Sequence, residues 1–133
     1  MDDEIRGILS EARNVAVVGL SDNPKRPSYE VGSYLLEHGY TIFPVNPTVD
    51  TVLGLKSYAS VTAIPEHVDV VDVFRRPDQV MPVVEDAIAA GAGAIWMQEG
   101  VINEEAAARA RQAGLKVVMN HCMKKEHKKI ISF

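Results

Sequence analysis

Several short segments of this 133-residue chain carry side chains able to hold an anionic, phosphate-bearing ligand. The turn GLSDNPKRPS offers the backbone of Gly19, the hydroxyls of Ser21 and Ser28, and the cations Lys25 and Arg26. A glycine lets the main chain approach a ligand closely. The start of a helix presents unpaired N–H groups, and a guanidinium takes phosphate oxygens in pairs. FRRP places the Phe74 ring beside Arg75 and Arg76, just ahead of Pro77. Adjacent side chains point apart, so one arginine of the pair faces a ligand there and the other does not. MQEG adds the uncharged amide of Gln98 and close approach at Gly100, while VNP (Val45, Asn46, Pro47) and NHC (ending at Cys122) complete the set.

Two features of a dinucleotide site are missing. The fingerprint for a pyrophosphate has three glycines, whereas this first turn has Gly19 alone and two prolines. An acid normally follows the second strand to bind the ribose diol; here VNP stands there, and the next acid, Asp50, lies past Pro47. A ribose that itself bears a phosphate would be repelled by such an acid, which explains its absence. The plain alternative is a solvated, proline-stiffened loop and two surface arginines before a helix. An NAD(P)-binding oxidoreductase-like module, and an interaction subunit with a vestigial crevice, are competing readings.

The elements that must position these groups follow from periodicity. Ile5, Ile8, Leu9 and Ala12 recur at helical spacing, and Val15 to Val18 form a β-branched run suited to a strand covered on both faces. Ser28 is expected to cap a helix through YEVGSYLLEHG that stops at Gly39. YTIFPVNP reads as a second strand closed by Pro47. Residues 48–65 give mixed signals: a short strand near Lys56–Tyr58 and a helical turn before Pro65. A third strand is expected from Val68 to Phe74, then a helix from Pro77 to Gly91 kinked at Pro82. AIWMQ is strand four, Asn103 caps the alanine-rich helix EEAAARARQAG, LKVVMN is strand five, and KKEHKKIIS forms a last helix. Strands separated by helices imply a single Rossmann-like, doubly wound α/β domain over residues 1–133, with a five-stranded, mainly parallel sheet and helices on both faces. Ligands of that architecture lie beyond the carboxyl ends of the strands, where the segments named above fall.

Composition narrows the partners. The net charge is -4, so no basic face for nucleic acid is expected. No apolar run approaches the ~20 residues that span a bilayer, and the charged start MDDEIRGILSEAR is unlike a secretory signal; a cytoplasmic protein is expected. The single cysteine, Cys122, excludes an internal disulfide. His121, Cys122 and His127 match no common zinc spacing, so no metal is expected. Cys122 is either a small buried hydrophobe or a thiol activated by nearby Lys124 and Lys125, able to form a mixed disulfide with a ligand thiol.

The segments VAVVGLSDNPKRPSYEVGSYL, IFPVNP, VDVFRRP, IWMQEGVINEEAAARARQAGL and VVMNHCMKKEH, taken together over nearly the whole chain, resemble the small single-domain CoA-binding proteins. They are similar in turn to the CoA-binding domain of the succinyl-CoA synthetase alpha subunit. The resemblance implies coenzyme A or an acyl-CoA as ligand. Gly19, Ser21, Lys25 and Arg26 would then meet phosphates, Val45, Asn46 and Pro47 lie along the nucleotide, and Phe74, Arg75 and Pro77 line the same crevice. Gln98 and Gly100 would sit near the pantetheine arm. The synthetases use a phosphorylated histidine on a further domain that these 133 residues have no room for, and His38 and His67 join no acid–base pair. A binder without catalysis of its own is expected, with a homo-oligomer or a protein partner left open.

Overall fold

The computed structural model describes residues 2–131. Helix α1 (Asp2–Glu11) leads into strand β1 (Asn14–Val18), then α2 (Pro27–Glu37) and β2 (Thr41–Val45). A small hairpin, β3 (Thr51–Val52) and β4 (Leu55–Lys56), precedes β5 (Val70–Val73). The remainder alternates: α3 (Val80–Ala89), β6 (Ala94–Met97), α4 (Glu104–Gln112), β7 (Lys116–Met119) and α5 (Met123–Ile131). Five strands form one parallel sheet in the order β2-β1-β5-β6-β7. The expected architecture is therefore the observed one, although Ser132 of the last expected helix lies outside the described residues.

Alternation along the strands divides the core. Val15, Val17, Val70, Trp96 and Val118 pack under α1, α2 and α5, with Ile8, Leu35 and Met123. Ala16, Val71, Val73, Ile95 and Val117 pack under α3 and α4, with Val84, Ala107 and Ala110. Both faces of the parallel sheet are covered, which is why its strands read as unbroken apolar runs. The chain winds from β1 outward to β2 on one side and from β5 through β6 to β7 on the other. The strand order thus reverses between β1 and β5, and a crevice opens at their carboxyl ends.

Four local expectations are corrected. Ser28 is not the cap of α2: extended Arg26 holds that position, Pro27 opens the helix, and Ser28 is buried one residue in. Pro27 takes the first helical position because its fixed φ and missing N–H cost nothing there. The helix expected from Pro77 starts at Val80 instead, after a 3-10 turn over Pro77–Gln79, so Pro82 falls in its first turn, where its missing N–H breaks no helical bond. β5 starts at Val70 rather than Val68, because the Asp69 carboxylate accepts the backbone N–H groups of Arg13 and Asn14 at 2.9 and 2.8 Å and turns the chain. Between residues 48 and 65 the strand pair lies mostly upstream of the expected segment. Its turn, Leu53 (φ 56) and Gly54 (φ 74), is left-handed at both positions, as a tight hairpin requires, but carries leucine where Asn or Asp is usual. Tyr58 forms only a single bridge, to Val45.

Gly19 fixes the geometry at the switch point. Its φ is +85°, and a Cβ there would collide with the Phe74 carbonyl oxygen at the end of the neighbouring strand. Its N–H meanwhile donates to Val45 O at 2.9 Å, tying the ends of β1 and β2. Gly19→Ala combines left-handed strain with a backbone clash and is expected to cost about 3 kcal/mol or more, read as a lower urea midpoint. An unchanged midpoint would show that β1 and β5 do not need this approach.

Candidate functional site

A cavity of about 660 Å³ occupies the switch point, a volume in the usual range for a small-molecule site. Gly19, Ser21, Arg26 and Ser28 come to it from the first crossover, Phe74 and Arg75 from the end of β5, Gln98 from the end of β6, and Cys122 from the start of α5. The structure thus gathers eight of the residues expected at a site. Pro27, Val31, Arg76, Glu99 and Val101 line it as well.

The first turn is built by its own polar groups. Ser28 Oγ accepts the N–H of Ser21 at 3.0 Å, Ser21 Oγ accepts that of Asn23, and Asn23 Oδ1 accepts that of Lys25. Ser28 therefore anchors the loop to the helix, a stronger role than capping it. Lys25 sits exposed on this loop, outside the cavity wall. Arg76 is exposed and lies 3.6 Å from Asp78. Arg75 is partly buried, and among the described residues no acid is paired with it. It also lines a second cavity of about 410 Å³ together with Val45, Ser60, Val61, Gln79 and the acids Asp78 and Asp86, so one residue borders two spaces.

The remaining expected residues hold the scaffold. Asn46 donates Nδ2 to Leu20 O at 3.0 Å while its Oδ1 accepts from Thr48, locking the β2 loop to the β1 loop, and Pro47 follows it. Pro77 O accepts Asn103 Nδ2, and Asn103 Oδ1 caps α4 through the N–H of Ala106, as the sequence predicted. Gly100, at φ +82, donates its N–H to Asn120 Oδ1, joining the loops after β6 and β7.

Around Cys122, Lys124 is held by Glu30 at 2.6 Å and Lys125 by Glu99 at 3.0 Å. The expected thiol-activating lysines are thus engaged by acids. Trp96 Nε1 donates to His121 O at 2.8 Å and fixes the loop carrying the thiol. His121 faces Glu126, whereas His127 bonds Tyr34 Oη at 2.8 Å; burial and the neighbouring His38 lower the pKa of its ring. That Tyr34–His127 contact clasps α5 onto α2, and it leaves no local signal in the residues because the partners are 93 positions apart.

A layered α/β domain with a cation-lined crevice at its switch point has the architecture in which nucleotide ligands lie beyond the strand ends. Residues 13–128 match the family model for the CoA binding domain, and the chain belongs to that family. It is 42% identical over 124 residues to the uncharacterized protein YneT of Bacillus subtilis, covering 93% of this chain and 92% of that one. A hypothetical protein from Pyrococcus horikoshii shares the fold at a TM-score of 0.96 with 45% identity, over 99% of this chain and 93% of the other. The acetate–CoA ligase (ADP-forming) II of Archaeoglobus fulgidus is 32% identical over 114 residues, or 82% of this chain and only 17% of the ligase. The resemblance expected from the motifs therefore holds. No helix among the described residues is long and apolar enough to cross a membrane.

One residue of the site escaped the sequence. Asp72 lies in the middle of β5, fully buried, with Gln98 Nε2 donating to its Oδ1 at 2.5 Å and no partner for Oδ2. An acid inside VDVVDVF was the available signal, masked by the apolar run around it. Burial pushes its carboxyl up to about 7, against the opposing pull of the Gln98 hydrogen bond. Unfolded, the same group titrates near 3.8, so between the two values the folded chain holds the extra proton. This group's contribution to stability is greatest below the unfolded value and falls as pH rises through about 7. Asp72→Asn should remove that slope and, above neutrality, raise stability by an amount on the order of a few kcal/mol. Urea midpoints across that pH range decide it; parallel curves for the two proteins would contradict the assignment.

Proposed function

We propose that this chain, over its whole length, is a coenzyme A or acyl-CoA binding module that performs no chemistry by itself. The observation that carries the reading is Arg75 bordering two cavities at the switch point. Coenzyme A has that shape: a compact, multiply phosphorylated nucleotide joined to a long thin arm. The space lined by Val45, Ser60 and Val61 suits the adenosine end. The diphosphate then lies by Gly19, Ser21, Arg26 and Arg75, where open N–H groups and guanidinium groups meet phosphate oxygens. The arm continues past Phe74 and Gln98 toward Cys122. VNP after β2 supplies no ribose-binding acid, and Arg75, rather than Asp78 or Asp86 on the wall of the same space, is the group that would meet a ribose 3′-phosphate. Membership of the CoA binding domain family, and the likeness to part of an acetate–CoA ligase, support the same ligand.

Calorimetry with CoA, acetyl-CoA, NAD and NADP tests this directly. CoA or its acyl form should bind and the nicotinamide nucleotides should not; preference for NAD or NADP, or no binding at all, would refute it. Arg26→Ala and Arg75→Ala should each weaken CoA binding by roughly 10- to 100-fold, the measure of one charge-assisted hydrogen bond. Affinity should fall with added salt, and less steeply in each variant. Unchanged affinity in both variants would refute the phosphate clamp.

A further inference from the structure

The pairing of Asp72 with Gln98 goes beyond a general affinity for phosphate. Register places Val17, Asp72, Trp96 and Val118 in one row across the sheet. Phe74 and Gln98, two residues further along β5 and β6, stand on the same face one layer higher and line the crevice. Asp72 is therefore directly beneath the crevice floor. It is wholly buried among apolar side chains, has Gln98 as its partner, and keeps an oxygen with none. As a structural element it is a poor choice, since a buried carboxyl with one neutral hydrogen bond costs stability that valine would not.

What the acid does accomplish is to orient an amide. A glutamine side chain can turn over, presenting either its NH₂ or its oxygen to a ligand. Above the pH at which it ionises, the carboxylate accepts only, so there Gln98 must direct Nε2 downward to Asp72, leaving Oε1 as its upward-facing group. Gln98 is only 4% exposed, which restricts that oxygen to what enters the crevice.

Resting on the CoA reading above, we infer that Asp72 positions Gln98 so that Oε1 accepts a hydrogen bond from an amide N–H of the ligand's pantetheine arm. Gln98 is then the residue that selects the arm, while the arginines select the nucleotide. Asp72→Asn releases the constraint: the new amide can accept from Gln98 Nε2 or donate to Gln98 Oε1, so Oε1 is no longer held toward the crevice. Gln98→Leu removes the acceptor altogether.

The experiment is calorimetry above neutral pH with two probes, CoA and adenosine 3′,5′-bisphosphate, the second lacking the arm. Wild-type protein should bind both. Gln98→Leu should weaken CoA by about tenfold, the value of one hydrogen bond, Asp72→Asn should weaken it by a smaller factor, and both should leave the bisphosphate unchanged. Gln98→Met, close in shape to glutamine, guards against loss of packing and should behave as Gln98→Leu does. Equal losses for both probes would reduce the pair to a structural role and overturn the inference, as would CoA affinity unchanged in the variants. Wild-type protein that binds neither probe would overturn the CoA reading itself, and this inference with it.

Discussion

Everything at the site depends on how closely the main chain leaving β1 can approach the main chain leaving β5. Gly19 lies against the Phe74 carbonyl with no room for a Cβ, and its own N–H is tied to Val45. Three strand ends are thereby drawn together at the one place where the winding of the sheet reverses. The first crossover then has to leave sharply, and it does so through a loop stitched by Ser21, Asn23 and Ser28 before Pro27 starts the helix. That constraint carries Arg26 and Arg75 to the same cavity.

The energetics of the rest are ordinary for this architecture. Two apolar layers sandwich the parallel sheet, and the exposed ion pairs, such as Arg109 with Glu85 at 2.8 Å, add little, as surface pairs do. Departures from that economy cluster at the crevice. Asp72 is a carboxyl in an apolar layer, Gln98 is a nearly buried amide, and Asn120 holds φ +64 to reach Gly100. Such exceptions, gathered at one end of the sheet, are where binding is expected to have shaped the chain at some cost to stability.

Much of this was legible in the residues. The β-branched runs announced the five parallel strands, and the segments following them converged on the crevice as a doubly wound sheet demands. Asn103 and its helix are legible because a cap and an alanine run are local signals. The errors were local conflicts instead. Ser28 looked like a cap, yet Pro27 suits the first helical position better, and the serine hydroxyl found a partner across the loop at Ser21. The hairpin at Leu53 and Gly54 hid behind a leucine in a left-handed turn. Lys25, Asn46, Pro47, Pro77 and Gly100 sit in the right loops but outside the cavity wall, because a segment's place at a strand end does not say which way each side chain turns. Asp72 and the Tyr34–His127 clasp were invisible for a different reason: both are defined by partners distant in the chain.

A crystal structure of the protein grown with coenzyme A would test the central claim most directly. The account places the diphosphate between the Gly19–Ser28 turn and Arg75, with the arm running over Phe74 and Gln98 toward Cys122. Coenzyme A bound elsewhere, with this crevice empty, would contradict it.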